Sequence, residues 1–151
     1  MGRLEGKIRL MEGQFEVPPE FLPTFQRRLG MKMGVARDGA GMAWVDVDKE
    51  MHWGRTAVHG GLFPTLVDVA GAIAVAQTVP GNAVKAIEAT IEMKINYLKR
   101  AKEGNLVATA RVIHRGKRVA VCDVDVTNND VRVAKASVSY MLRTGDLPEP
   151  T

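Results

Sequence analysis

Between Val58 and Val79 the chain carries one stretch that few folds can accommodate, running V-H-G-G-L-F-P-T-L-V-D and then V-A-G-A-I-A-V-A. Apolar or small residues fill nearly every position from Leu62 to Val79. A helix with no polar stripe to turn toward water belongs in an interior, so this pattern predicts a helix that other elements must enclose. One carboxylate, Asp68, interrupts it. Ionised carboxylates in apolar surroundings are strongly destabilising unless paired or hydrogen-bonded, and function is one reason to retain one.

The start of this helix adds a second feature. Gly60 and Gly61 allow another backbone or a ligand to come close, and first-turn N–H groups have no partners within a helix. Free amides backed by the helix dipole can hold a negative oxygen. Pro64 suits a first turn, where its missing N–H would be unpaired anyway. Gly61 and Asp68 are seven residues apart, about two turns, hence on nearly the same face but roughly 10 Å apart along the axis. A reacting carbonyl must sit roughly 3 Å from both its oxyanion donors and its base or nucleophile. One helix cannot supply both. Two copies lying antiparallel about a two-fold axis can, with Gly61 of each facing Asp68 of the other, so an obligate dimer is expected.

Composition bounds the alternatives. A length of 151 residues suits a single domain spanning 1–151, with a core over about 15–142 and a frayed tail at 143–151. The longest uncharged run, Val69 to Val84, includes Gln77, Pro80 and Gly81 and is too short to span a bilayer. Charged residues spread from Arg3 to Glu12 interrupt any signal-peptide core, which leads to the expectation of a cytoplasmic protein. The single cysteine, Cys122, excludes an internal disulfide and sits in a valine-rich alternating run as a small buried thiol. The histidines His52, His59 and His114 lack metal-site spacing, so no metal is expected. A net charge of +4 fits an anionic ligand or nucleic acid alike. Aromatic residues are only 5% and do not interleave with the basic ones as a base-stacking platform requires, which argues against nucleic acid.

Along the chain, residues 1–17 form an amphipathic lead-in. Pro18-Pro19-Glu20 opens a short helix through about Leu29, with Phe21, Leu22, Phe25 and Leu29 at helical spacing and Gly30 as its stop. Ala43 to Val47 alternates as a strand, residues 51–56 form a loop, and the central helix ends near Pro80-Gly81-Asn82. Four long extended runs come next, at Ile87–Tyr97, Leu106–His114, Lys117–Thr127 and Val131–Leu142. Their short links predict a meander of antiparallel neighbours. The first run alternates, with Ile87, Ala89, Ile91, Met93, Ile95 and Tyr97 on one face and Thr90 on the more polar other. The expected class is α+β, a curled antiparallel sheet wrapped around one long hydrophobic helix.

His59-Gly60-Gly61, the following Asp68, the strand Thr90-Ile91-Glu92-Met93-Lys94-Ile95-Asn96-Tyr97-Leu98, then Gly104-Asn105-Leu106 and the Arg115-Gly116-Lys117 turn together resemble the hot-dog fold thioesterases of the phenylacetate-pathway (PaaI-like, 4-hydroxybenzoyl-coenzyme A thioesterase-related) type. The resemblance covers about residues 15–142. It implies a dimer or dimer of dimers that hydrolyses acyl-coenzyme A, with coenzyme A as part of the substrate and no separate cofactor. It implies that the Gly61 N–H polarises the thioester carbonyl while Asp68 of the partner subunit attacks it or activates water. It further implies that Thr90 orients the water and that Gly60 lines the substrate site; His59, beside a helix start, either hydrogen-bonds the loop or takes a direct part in polarising the carbonyl. Arg115, Gly116, Lys117 and Arg118 fall where relatives meet the nucleotide phosphates, which favour cations. In one place the chain departs from the pattern: where relatives carry an asparagine six residues before the motif histidine, this chain has Trp53, flanked by His52 and Arg55. Trp53 and Arg55 are therefore counted among the substrate-binding candidates, with His52 or Arg55 able to substitute for the asparagine, or the activity altered or absent.

Three other functions remain in view. An enoyl-thioester hydratase on the same fold needs a histidine and a carboxylate acting together, which the HGG-to-Asp spacing serves poorly. A non-catalytic acyl-coenzyme A sensor or carrier is suggested by Trp53. A nucleic-acid binder is suggested only by charge.

Overall fold

The central helix forms over Leu62–Ala76 (α2), with ten of its 15 residues shielded from solvent, in a computed structural model that describes residues 15–79 and 84–143. It stops short of the expected Val79. There Gln77 and Thr78 turn their side chains back onto the carbonyls of Ile73 and Val75. The expected Pro80-Gly81-Asn82 stop, most of the lead-in and most of the tail lie outside the described residues.

Among the described residues seven antiparallel strands form one sheet: Phe15–Glu16 (β1), Lys32–Val35 (β2), Gly41–Val47 (β3), Ile87–Tyr97 (β6), Gly104–Arg115 (β7), Val119–Asn128 (β8) and Val131–Leu142 (β9). Their order is β1-β2-β3-β7-β8-β9-β6. Two short strands, His52–Trp53 (β4) and Ala57–Val58 (β5), pair separately within the expected loop. The sheet curls around α2, which lies chiefly against β3, β7 and β8, so the α+β class is as expected.

Small side chains make that wrap possible. Ala43, Ala108, Ala110, Ala120, Ala134 and Ala136 are all buried on the strands and join one core with Ala70 and Ala74 of the helix. Gly41 shows the limit, because a Cβ there would run into the backbone of Ala70 and Ala74. Larger residues, among them Leu66, Val67, Val124, Val126, Val138 and Leu142, fill the space to either side.

Three expectations change on contact with the structure. The helix expected over 18–29 breaks into a 3-10 turn at Pro19–Phe21 and a five-residue helix, Thr24–Arg28 (α1). Pro23 forces Leu22 into extended backbone (φ −74°, ψ 136°), since a residue before proline is excluded from the helical region. Phe21 and Phe25 consequently remain exposed. The meander also fails at its first link: β6 pairs with β9, and β7 pairs with β3 instead. Residues 98–103 therefore cross over the sheet end, while the β8–β9 link is the tight turn expected, with Asn129 and Asp130 both at positive φ.

The third change is in β6. Its pairing with β9 slips between Ile87 and Ala89 and again between Thr90 and Glu92. Each bulge adds one residue and reverses the facing of the residues beyond it. Thr90 thus pairs with Tyr140, a buried residue, and shares its inward face, while Ile91 in the second bulge is 50% exposed.

Because a Cβ at Gly41 has only backbone to displace, Gly41→Ala is expected to cost about 3 kcal/mol through overpacking. Urea unfolding of the variant against wild type measures this, and an unchanged midpoint would contradict the close approach of helix and sheet.

Candidate active site

The two ends of β6 gather the expected residues into two groups. At one end, Asp68 lies on the half-buried stripe of α2 and its Oδ1 accepts a 2.7 Å hydrogen bond from the Thr90 hydroxyl. The two bulges of β6, one on either side of Thr90, are what aim it there. From Thr90 the register continues to Tyr140, Ala120 and Arg115. That ladder places the Arg115-Gly116-Lys117-Arg118 turn at the same end of the sheet, three strands and about 15 Å away. Arg115 is half-buried and donates from Nη1 to the Gly116 carbonyl at 3.2 Å, while Lys117 and Arg118 are exposed.

At the other end sits the glycine turn. Tyr97 closes β6 and donates its hydroxyl to the Gly60 carbonyl at 2.9 Å, its ring meeting Phe63 edge-on at 5.1 Å between centroids. Next to this contact opens a cleft of about 320 Å³, lined by Ala57, Val58, Gly60, Phe63, Tyr97 and the segment Leu98–Ala101. Lys99 and Arg100 are exposed on it. Reading the sequence did not single out Tyr97, Lys99 or Arg100. Their pattern is that of an ordinary strand end, and only the crossover of residues 98–103 brings them against the turn.

One expected feature is arranged differently. The Gly61 N–H is not free: it donates to Nδ1 of His59 at 2.9 Å, while Leu62 and Phe63 donate to the carbonyls of His59 and Gly60. The motif histidine folds back to cap the helix start, so a ligand oxygen must take its place. Trp53 is 74% exposed and meets the His59 ring edge-on at 5.8 Å; Arg55 is exposed, and His52 is half-buried. Among the described residues no cluster of His, Cys, Asp or Glu could hold a metal ion. None of their helices is long and apolar enough to cross a membrane.

Two buried groups meet the backbone of α2 at Asp68 and Gly71. Tyr140 donates its hydroxyl to the Asp68 backbone carbonyl at 2.6 Å. Burial, and next the Asp68 charge, push its pKa well above the usual phenol value. Cys122, close to the Gly71 carbonyl, has its pKa pushed up by burial to about 12.

These elements define a hot-dog architecture whose one acidic helix position is hydrogen-bonded at the sheet edge. Residues 56–135 match the family model of the Thioesterase superfamily. Human acyl-coenzyme A thioesterase 13 is 35% identical over 107 residues, covering 70% of this chain and 74% of that one. A relative from Halobacterium salinarum is 41% identical over 73 residues, 48% of this chain and only 47% of its own length. Among solved structures, the BH2602 protein from Bacillus halodurans with CoA superimposes with a TM-score of 0.71 at 22% identity, covering 83% of this chain and 82% of that one. The chain belongs to the thioesterase superfamily.

The thiol is expected to play no nucleophilic role, because a pKa near 12 keeps it protonated at neutral pH. Cys122 should therefore resist a disulfide reagent at pH 8 until the protein is unfolded. The folded state holds this proton more tightly than the unfolded chain does, so its stabilising contribution is present below pH ~9 and is lost as pH rises toward 12. Rapid labelling of native protein would contradict this.

Proposed function

We propose that the protein hydrolyses acyl-coenzyme A thioesters at sites shared between two subunits. The observation that carries this reading is the Thr90–Asp68 hydrogen bond, which holds a carboxylate of an otherwise apolar helix at the open edge of the sheet. Thioester hydrolysis needs such a group, and the names of relatives such as human acyl-coenzyme A thioesterase 13 support the substrate class. A PaaI-like subgroup and a cytoplasmic location are consistent extensions of that reading.

The dimer is a consequence of geometry. Asp68 and Thr90 lie at one end of β6 and the glycine turn at the other, so no single chain brings them to one carbonyl. Strand β6 is an edge strand with no partner on its outer side among the described residues. Beside it, Val69 and Ala72 of α2 are only half-buried, and Tyr97 is 54% exposed. Antiparallel pairing of two such edges brings the glycine turn, the cleft, Lys99 and Arg100 of one subunit to Asp68, Thr90 and the Arg115–Arg118 turn of the other.

Within this composite site the thioester carbonyl takes over the Gly61 N–H from His59 Nδ1. Asp68, fixed at Oδ1 by Thr90, acts as base or nucleophile. When it acts as base, water loses a proton to Asp68 and its oxygen bonds to the carbonyl carbon. The C–S bond then breaks, and the coenzyme A sulfur takes up the proton. The amide stabilises the oxyanion between these events, a contribution of ~3 to 4 kcal/mol in comparable sites. Lys99, Arg100 and the basic turn supply the positive charge that the coenzyme A phosphates require. Hydratase chemistry is served less well, because it needs a histidine and a carboxylate acting together on the acyl chain, and His59 Nδ1 is engaged with the Gly61 N–H at the helix start.

The test is release of free thiol from acyl-coenzyme A esters of short, long and aromatic acyl groups. Wild type is expected to turn over at least one class, and Asp68→Asn to lower kcat by ~10²- to 10⁴-fold. Stabilisation by coenzyme A esters without turnover would instead favour a sensor or carrier, the reading that Trp53 at the asparagine position favours.

A further inference from the structure

We infer that Tyr140 is a positioning residue that sets where the Asp68 carboxylate stands; the inference rests on the catalytic reading of Asp68 above. Three observations carry it. The Tyr140 hydroxyl donates to the Asp68 carbonyl in the middle of α2 at 2.6 Å. The hydroxyl therefore lies against the rung of α2 at which the Asp68 carbonyl faces the Ala72 amide. Second, Gly71 makes room for it: a Cβ at that position would overlap the Tyr140 hydroxyl and crowd Val138. Third, Tyr140 is the register partner of Thr90, whose hydroxyl holds the carboxylate.

Two neighbouring residues of the sheet thus grip one residue of the helix, Thr90 by its side chain and Tyr140 by its backbone. A side chain joined to a helical rung fixes both the height and the rotation of the helix at that point. Without the hydroxyl, the tie between the sheet and the Asp68 backbone is lost and that backbone shifts relative to β6. The carboxylate then moves away from Thr90 and from the carbonyl that the partner's glycine turn presents. Misplacements of this kind are costly to turnover even when substrate still binds.

Tyr140→Phe keeps the ring and removes only the hydroxyl. The variant is expected to remain folded, with kcat lower by ~10- to 100-fold and KM within about twofold of wild type. Placed in the Asp68→Asn background, the same change is expected to lower the residual rate no further, since it acts through the carboxylate. A crystal structure of Tyr140→Phe is expected to show the Thr90 Oγ1 to Asp68 Oδ1 separation lengthened beyond hydrogen-bond range. An unchanged kcat, an equal loss in both backgrounds, or a Thr90–Asp68 bond retained in the variant would each overturn the inference. Unchanged thiol release in Asp68→Asn alone would overturn the catalytic reading and this inference with it.

Discussion

A carboxylate carried on an apolar helix needs a hydrogen-bond donor and access to water, and the described chain offers both at one place along α2. That place is the edge of the sheet beside β6, where Thr90 donates to Asp68 at 2.7 Å. Where the helix packs closest, against Gly41 and the buried alanines of the sheet, no ionised side chain would fit. The small residues of β3, β7, β8 and β9 therefore do more than fill a core. By drawing the sheet tightly around the other faces of the helix, they leave one stripe for chemistry.

The same enclosure separates the two halves of the site. The helix begins at the glycine turn and reaches the carboxylate about two turns later, and β6 runs alongside with Tyr97 at the first location and Thr90 at the second. The distance is a property of helical rise, which no rearrangement of loops can shorten. Among the described residues an uncovered edge strand and a half-buried helix stripe lie next to each other on this side, so the second copy proposed above would both complete the site and cover the exposed apolar surface.

Much of this was legible in the sequence, and the remainder was hidden for physical reasons. The helix, the strands at Ile87–Tyr97 and Val131–Leu142, and the Asn129-Asp130 turn all arise from local patterns, because periodicity and turn chemistry are written in neighbouring residues. The facing of Thr90 was not legible, since a bulge leaves no mark on alternation: the run from Ile87 to Tyr97 keeps its period while its pairing slips twice. Strand order was equally hidden, because a link of a few residues at 98–103 can turn back or cross over, and the choice depends on which edge β7 finds. The capping of Gly61 by His59 depends on one side-chain rotamer. Tyr140 and Gly71 are far apart in sequence, and neither alone signals that the hydroxyl of one needs the missing Cβ of the other.

The most direct measurement of the shared site uses two inactive variants together. Gly61 has φ −66°, which proline also adopts, so Gly61→Pro removes the amide donor at the helix start, and Asp68→Asn removes the carboxylate. If each site draws on both subunits, a mixed dimer of the two variants holds one intact site and one doubly damaged one, and an equal mixture recovers roughly a quarter of wild-type thiol release. If each chain carries its own complete site, differently tagged mixed dimers would be as inactive as either parent, and the account would be wrong.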